Sequence, residues 1–334
     1  MEQFLISIGI PVYNGERFLR ESIKSALSQS WSEKEILVVD DGSTDSTQSI
    51  IRSFEGNIRS FRIEHQGVST ARNLILKESK GLWIQYLDAD DYLLEDKIET
   101  QIKECPNIQK YDVLLGGLLV EEWERGKRQK NCFQPQYITH TYLDPFIQWF
   151  NRHNPNVAGC LFLREALLKI GGWNESLRFG SEDNELYMRI FQSTLRYFWT
   201  CSKRAVYREN WTTKSLSKSY PVEVLRTEIK LFDQMVEWLQ QKNMLSEQRK
   251  SAACRAYFRI LEDLALFRYD EALATYSRLL QQNVLPMKQW NRNFSKSWIG
   301  RIFGFPMRSW LRRYCFVAKR IEKKLQKIFS IVFL

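Results

Sequence analysis

The sequence predicts an α/β fold, in which a mostly parallel sheet with helices on both faces is followed by a helical region. Short apolar runs alternate with helical patterns over the first ninety residues, as in strands joined by crossover helices. From Pro221 onward the strand pattern stops and only helical periodicity remains. We therefore expect a domain over 1–220, with halves at 1–100 and 101–220, and a helical region over 221–334.

The predicted strands are short and apolar. They cover residues 5–10, 36–39 and 82–87, and the second is a continuous apolar run of the kind found in strands buried on both faces. Apolar residues at helical spacing predict a helix after each of the first two strands and another before the third. The helices predicted in the C-terminal third cover residues 222–241, 246–267 and 269–282.

Polar motifs follow each predicted strand, at residues 11–14, 40–43 and 88–91. Because parallel strands joined by right-handed crossovers point the same way, these motifs should line one crevice at the carboxyl edge of the sheet. The last motif holds Asp88 and Asp90, followed by a third carboxylate. Such a cluster is best tolerated when a cation neutralises it, and carboxylate oxygens suit Mg²⁺ or Mn²⁺.

The crevice lacks the glycine-rich loops that bind phosphate in dinucleotide-binding and P-loop proteins. After the first strand the chain reads Pro-Val-Tyr-Asn-Gly-Glu-Arg, which also argues against a sugar nucleotidyltransferase. A nucleotide diphosphate would then be held through a divalent cation at the acidic cluster. Asp40 and Asp41 offer acceptors for a base N–H or a ribose hydroxyl.

The cysteine and histidine content excludes several kinds of site. The six cysteines are widely spaced without a C-x-x-C pair, so we expect reduced thiols rather than a disulfide or zinc framework. With only three histidines, an imidazole-rich metal site is not expected. The chain shows no secretory leader and no apolar run of bilayer length, so we expect a cytoplasmic protein.

The net charge of +10 is concentrated near the C-terminus. Residues 296–334 hold ten Lys or Arg and one acid, whereas the rest of the chain carries 39 basic and 38 acidic residues. Within 307–334, apolar residues recur at helical spacing among basic ones, which predicts a basic amphipathic helix. Such a helix could bind an anionic membrane surface on the inner face of the membrane or pack on the rest of the protein. We do not expect nucleic acid as a partner.

Four ordered segments resemble family 2 glycosyltransferases with the GT-A fold, over roughly residues 4–220. ISIGIPVYNGERFLRESIKSALSQSW, EILVVDDGSTDST and HQGVSTARNLILKESKGLWIQYLDADDYL resemble their nucleotide-binding half, and LFLREALLKIGGWNESLRFGSEDNELYMRI resembles their acceptor half. The resemblance implies an inverting, metal-dependent enzyme that moves a sugar from a nucleotide-sugar, with UDP expected, to a hydroxyl acceptor. The acceptor would be a saccharide or a lipid-linked molecule in polysaccharide or glycolipid assembly.

The same resemblance implies a role for nine residues. Those expected to border the nucleotide are Pro11, Tyr13, Asn14 and Glu16. Asp41 would accept the base N–H, and Arg72 would lie near the base or the diphosphate. Asp90 would bind Mn²⁺ or Mg²⁺, with Asp88 closer to the ribose or the sugar. Asp183 would be the catalytic base.

Some of these roles stay open on the residues alone. Asn14 is also a candidate cap of the helix that follows it. Spacing does not separate Glu182 from Asp183, because both would open a helix whose N-terminus favours an ionised carboxylate. Many relatives have a histidine after a Tyr-Arg segment, where this chain has Asn210. We therefore expect Arg208 and Lys214 to add charge near the diphosphate. The missing histidine also supports an alternative function, a catalytically silent nucleotide-sugar-binding or membrane assembly protein.

Overall fold

A computed structural model describes residues 3–124, 127–128, 134–135, 144–210 and 219–282. The described chain divides into two compact units. The first contains the residues up to Pro145 together with 152–219, and the second contains 146–151 together with the residues from Tyr220 onward. No helix within the described ranges is both long and apolar enough to cross a bilayer.

The first unit is built on one mixed sheet. Its strands are β1 (Ile6–Val12), β2 (Lys34–Asp40), β3 (Arg59–Arg62), β4 (Trp83–Tyr86), β5 (Tyr92–Leu93), β6 (Val113–Glu124), β7 (Lys127–Arg128), β8 (Gln134–Pro135), β9 (Leu161–Leu163) and β10 (Tyr197–Asn210). The spatial order is β3-β2-β1-β4-β9-β6-β10-β5, and β7 and β8 both pair with β6. This α/β fold confirms the predicted class.

The helices are interleaved with these strands. They are α1 (Leu19–Leu27), α2 (Thr47–Arg52), α3 (Val68–Glu78), α4 (Lys97–Glu104), α5 (Pro145–Phe150), α6 (Arg164–Lys169), α7 (Glu182–Gln192), α8 (Pro221–Gln241), α9 (Glu247–Ala265) and α10 (Tyr269–Gln282). Two short 3₁₀ turns lie at Ile108–Lys110 and Val157–Gly159. The helices predicted in the C-terminal third begin and end within two residues of α8, α9 and α10.

Strand β1 lies in the middle of the parallel part of the sheet, and all seven of its residues are buried. It pairs in parallel with β2 on one side and β4 on the other, so that Ile8 lies opposite Ile36 and Gln85. Helix α3 approaches this strand closely at Gly9, where a Cβ atom would collide with the side chain of Ile75. The carboxyl ends of β1, β2 and β4 therefore lie side by side, as the motif order predicted.

The second unit is helical. Helices α8, α9 and α10 pack around a cluster of aromatic rings to which α5 contributes. The ring of Trp149 lies 5.3 Å from that of Phe232, and the ring of Phe150 lies 5.6 Å from it. Phe232 also meets Tyr257 of α9 edge to face at 5.5 Å. The segment 146–151 is thus part of the core of this unit.

Candidate active site

The loops that follow β1 and β2 are joined by hydrogen bonds. The backbone N–H of Asn14 donates to Ser43 Oγ at 2.9 Å, and its side-chain oxygen accepts from the Thr44 N–H at 2.8 Å. Glu16 accepts from the Ser46 N–H at 3.1 Å. Asn14 has φ +50° and binds the neighbouring loop. It does not cap α1, so the alternative prediction that Asn14 is a helix cap is wrong. These contacts place Asn14 and Glu16 at the carboxyl edge, next to the buried Pro11 of β1.

Asp41, the expected acceptor of the base N–H, is buried and already holds a loop. Its two carboxylate oxygens accept from the backbone N–H groups of Gln66 and Gly67, at 2.8 and 2.9 Å. His65 Nδ1 lies 3.0 Å from the same carboxylate. The carboxylate therefore ties the segment before α3 to the end of β2, and Oδ1, which accepts from Gln66, keeps a second lone pair for a ligand donor. Its contact with a base remains a prediction.

Tyr13 and His65 form an exposed aromatic surface beside Asp41. The Tyr13 side chain is half exposed, and its ring stacks on the imidazole at 4.0 Å with an interplanar angle of 24°. Gly42 permits this arrangement, because its φ is +80° and a Cβ would lie 2.9 Å from the His65 backbone nitrogen. Tyr13 was among the predicted site residues, whereas His65 was not. A single histidine in a loop gives no signal that would have identified it.

Arg72 of α3 connects the two halves of the first unit. Its Nη2 lies 2.9 Å from Asp88, while its Nη1 lies 3.1 Å from Asp183 and 3.2 Å from Glu182. The guanidinium is buried and lies over the ring of Trp173 at 4.4 Å. Burial opposes its charge, but the three carboxylates outweigh burial and raise the pKa of Arg72 above its usual range. The structure thus brings together three residues predicted separately.

Trp173 is held under Arg72 by the next residue of α3. The Asn73 side chain accepts from the Trp173 backbone N–H at 2.7 Å and donates to the Trp173 carbonyl at 2.9 Å. Its amide nitrogen also donates to Glu175 at 2.6 Å. The loop before α7 is therefore fixed against α3. The sequence analysis did not identify Trp173 or Asn73 as site residues.

Asp183 lies in the first turn of α7 and has the properties of a titrating base. Desolvation by the surrounding protein and the charges of Glu182 and Asp88 outweigh the lowering effect of Arg72, and together they raise the pKa of Asp183 to about 7. With a pKa of about 7, this carboxylate is partly ionised at neutral pH, less completely than the helix N-terminus alone would make it. Desolvation and two neighbouring carboxylates outweigh the helix dipole and the guanidinium here.

Asp90 is the carboxylate that fits a divalent cation. Its side chain is exposed in the crevice, yet desolvation by the crevice walls and the charge of Asp88 raise its pKa to about 6. No cationic side chain among the described residues forms an ion pair with it at short range. Within the same ranges, no three His, Cys, Asp or Glu side chains are grouped to hold a metal by themselves. A cation bound here would be completed by phosphate oxygens and water, as Mg²⁺ and Mn²⁺ allow.

Arg208 of β10 is buried beside the acidic loop and α1. Its guanidinium is almost fully buried, and Nη2 lies 2.6 Å from Glu21 of α1. Nη1 donates to the carbonyl oxygen of Asp90 at 3.0 Å. Arg208 thus contacts the backbone of the acidic loop, and its role as a charge near the diphosphate remains a prediction. The side chain of Asn210, Lys214 and the segment 307–334 lie outside the described residues.

The strand order and the polar residues at the carboxyl edge define a GT-A-type α/β domain. Solved structures support this assignment of the fold. A crystal structure of Staphylococcus aureus TarS 1–349 in complex with UDP-GlcNAc aligns with a TM-score of 0.53 and 18% identity, covering 78% of this chain and 81% of that one. A mannosyltransferase from Pyrobaculum calidifontis, PcManGT, in complex with GDP-Man and Mn²⁺, aligns with a TM-score of 0.54 and 15% identity. That alignment covers 94% of this chain and 87% of that one. At such identities the likeness concerns the fold alone.

Sequence comparison identifies the family. Residues 7–171 match the Glycosyl transferase family 2 model, and this segment belongs to that family, as the motifs predicted. An uncharacterised glycosyltransferase of Rickettsia prowazekii is 35% identical over 199 residues, which are 58% of this chain and 61% of that protein. The minor teichoic acid biosynthesis protein GgaA of Bacillus subtilis is 29% identical over 232 residues, covering 64% of this chain and 49% of that protein. The chain therefore spans less than two thirds of these curated relatives.

Proposed function

We propose that the chain is an inverting, metal-dependent glycosyltransferase of the hexosyltransferase type. It would move a sugar from a nucleotide-sugar, with UDP as the expected nucleotide, to a hydroxyl group of a saccharide or lipid-linked acceptor. The contacts of Arg72 carry this proposal, because one buried cation joins Asp88 of the donor half to Asp183 of the acceptor half. The name of the GgaA relative supports a role in polysaccharide or glycolipid assembly.

The proposed chemistry is a single displacement at the anomeric carbon. Asp183 would take the proton of the acceptor hydroxyl as its oxygen forms a bond to that carbon. The bond to the diphosphate oxygen breaks on the opposite face, so the configuration inverts, by the same logic as in inverting glycosidases. A base with a pKa of about 7 suits this task, because it is substantially ionised at neutral pH and still holds a proton well.

Asp90 would hold the divalent cation, with Asp88 beside the ribose or the sugar. A bound Mn²⁺ or Mg²⁺ would supply positive charge to the departing diphosphate. The raised pKa of Asp90 fits this role. The Asp90 carboxylate lies beside the charge of Asp88 and forms no short-range ion pair among the described residues, so a bound cation would stabilise its ionised form. Arg72 would keep Asp88 and Asp183 in fixed positions on either side of the reacting bond.

Calorimetric titration tests the donor site. We expect one of UDP, GDP and dTDP to bind in the presence of Mn²⁺ and to bind at least about tenfold more weakly without it, because the cation links carboxylate to diphosphate. Asp90→Ala should remove the effect of Mn²⁺. Asp96→Ala is a matched control, because Asp96 is a partly exposed aspartate of the same unit that pairs with Arg204 at 3.4 Å outside the crevice.

The outcomes separate the proposal from its alternative. If a folded protein binds no nucleotide with Mn²⁺, the motifs are relics and the catalytically silent assembly protein is the better explanation. If binding occurs but is equally tight without metal and in Asp90→Ala, the nucleotide site stands and metal dependence is wrong. Screening sugars on the nucleotide that binds would then identify the donor.

We further propose that residues 307–334 bind an anionic membrane surface and bring the enzyme to a lipid-linked acceptor on the cytoplasmic face. Support comes from the sequence, in which basic residues alternate with apolar ones at helical spacing. The full chain should sediment with vesicles containing phosphatidylglycerol and not with phosphatidylcholine alone. Deleting 307–334 should abolish this binding; undiminished sedimentation would contradict the proposal.

A further inference from the structure

Arg208 is a buried arginine on β10 that contacts the loop 88–91 twice. Its Nη1 donates to the carbonyl oxygen of Asp90 at 3.0 Å. Its own backbone N–H donates to Asp91 Oδ1 at 2.9 Å. The guanidinium thus binds the backbone of the very residue expected to hold the cation.

Helix α1 holds the same loop from its other end. Ser22 Oγ donates to the carbonyl oxygen of Asp88 at 3.2 Å. That carbonyl also accepts from the Asp91 backbone N–H at 3.0 Å, which closes the turn of the acidic loop. The carbonyl groups of both residues of the D-x-D motif are therefore fixed by donors from outside the loop, and the Asp90 side chain leaves the backbone at a defined position.

The contacts of the Arg208 guanidinium hold it in one orientation. Nη2 lies 2.6 Å from Glu21, and Nε lies 3.7 Å from Glu121. Cζ lies 4.5 Å from the ring centroid of Tyr92 and 5.0 Å from that of Phe18. A planar group with five donors can make all of these contacts together, whereas a lysine ammonium is a point charge on a flexible stem and cannot. The surroundings of residue 208 therefore require the shape of a guanidinium and not only a positive charge.

We infer that Arg208 is a positioning residue, which sets the backbone conformation of the loop 88–91 and thereby the affinity of Asp90 for a divalent cation that bridges to a diphosphate. The inference rests on the proposed function and adds a residue to its site. Groups that orient a metal ligand typically change metal affinity by about 10- to 100-fold when removed, without contacting the ion. The loop needs such support, since its three carboxylates repel one another in the absence of the cation.

Backbone hydrogen exchange of the full chain, without metal or nucleotide, tests the structural part. Arg208→Lys should speed exchange in peptides covering 88–92, because the Asp90 carbonyl loses its donor. Arg59→Lys is the matched control, because Arg59 also joins a carboxylate to a backbone carbonyl. Its guanidinium lies 2.9 Å from Glu35 and donates to the carbonyl oxygen of Glu78 at 2.9 Å. Arg59 is on β3, at the opposite end of the strand order from β10. The control should leave the loop 88–92 unchanged.

Mn²⁺-dependent binding of UDP, or of whichever nucleotide binds best, tests the consequence. Arg208→Lys should weaken binding in Mn²⁺ by about tenfold or more and leave the weak metal-free binding unchanged. Glu21→Gln removes the negative charge that faces the guanidinium, and Glu21 is an exposed partner. This variant should therefore speed exchange and weaken Mn²⁺-dependent binding by a smaller amount than Arg208→Lys. This second variant keeps the inference testable if the lysine variant does not fold.

Each outcome has one meaning. Wild-type exchange in the loop of Arg208→Lys, or unchanged Mn²⁺-dependent binding, overturns the positioning role. Faster exchange throughout the first unit, with metal-free binding lost as well, would show that Arg208 only stabilises the fold and would also overturn it. Failure of the wild-type chain to bind any nucleotide would refute the proposed function instead, while the exchange data would still report whether Arg208 fixes the loop.

Discussion

Glu182 and Asp183 are adjacent and both contact Arg72, but their surroundings differ. The Asp183 side chain is 37% exposed, whereas that of Glu182 is 14% exposed. A general base must reach the acceptor hydroxyl, so the more accessible carboxylate is the better candidate. We expect Asp183→Asn to lower kcat by about 10²- to 10⁴-fold while the nucleotide still binds. Transfer from the identified sugar nucleotide, measured alongside calorimetry, checks this.

Glu182→Gln is the matched variant, because it changes the neighbouring carboxylate in the same way. We expect it to keep most of the activity, since Arg72 retains Asp88 and Asp183 as partners. A larger loss in Glu182→Gln than in Asp183→Asn would assign the base to Glu182 and contradict the resemblance.

The pH dependence of kcat/KM follows from the pKa of Asp183. The base works in its ionised form, and its pKa in the free protein is raised to about 7. We therefore expect kcat/KM to fall as the pH drops below about 7 and to level off above it, because kcat/KM reports the ionisations of the free enzyme. Rates between pH 5.5 and 8.5 at saturating Mn²⁺ check this. A profile that is flat, or that falls with rising pH, would contradict it.

At the residue scale the sequence predicted side chains that the structure brings together, but not the contacts between them. The strand-end motifs placed Asp88 and Asp90 in a crevice, and the resemblance added Arg72 and Asp183. The contact between Arg72 and Asp183 spans 111 positions of the sequence, and no spacing rule reports such a pair. The contact between Arg208 and Glu21 was not predicted for the same reason, since it depends on where α1 lies beside β10.

At the scale of elements, β1 and α3 depend on a close approach at Gly9. A methyl group there would collide with Ile75, so we expect Gly9→Ala to lower the free energy of unfolding by about 1–3 kcal/mol through overpacking. Denaturant unfolding of the wild type, both single variants and the double variant with Ile75→Ala forms the test. Gly9→Ala should cost less in the Ile75→Ala background, because the colliding Cγ2 is gone. Strictly additive effects would show that the clash is relieved elsewhere.

The elements with strong periodicity were predicted well, and the weak ones were missed. β1, β2 and β4 are apolar runs whose predicted ends lie within two residues of the observed ones. Helices α1 and α3 have clear helical stripes and occur where helices were predicted. Arg59–Arg62 was not predicted as a strand, because two of its four residues are arginines and its burial alternates. It forms by pairing with β2, which is a tertiary effect. β9 has only three residues, too few for a pattern to show.

At the scale of the whole chain, the second unit is built from two separate stretches of sequence. The segment 146–151 leaves the first unit, contributes to the helical core, and the chain then returns to the first unit. Besides Trp149 and Phe150, it supplies Phe146, whose ring lies 5.8 Å from that of Trp238 of α8. The segment is rich in aromatic residues, but six residues do not show which core they join, so a sequence prediction of a break near residue 220 could not include this insertion.

A chain cut at residue 219 keeps the whole first unit but leaves the segment 146–151 without the rest of the second unit. The rings of Phe146, Trp149 and Phe150, which are at most 4% exposed, would lose their partners in α8 and α9. Each buries about 150–250 Å² of surface when covered, so together they would expose an apolar patch large enough to cause association. We expect the fragment 1–219 to self-associate, as measured by size-exclusion chromatography with light scattering. The same fragment with all three residues changed to Ser should stay monomeric. A monomeric unmodified fragment, at the concentration where the full chain is studied, would show that the segment folds back against the first unit.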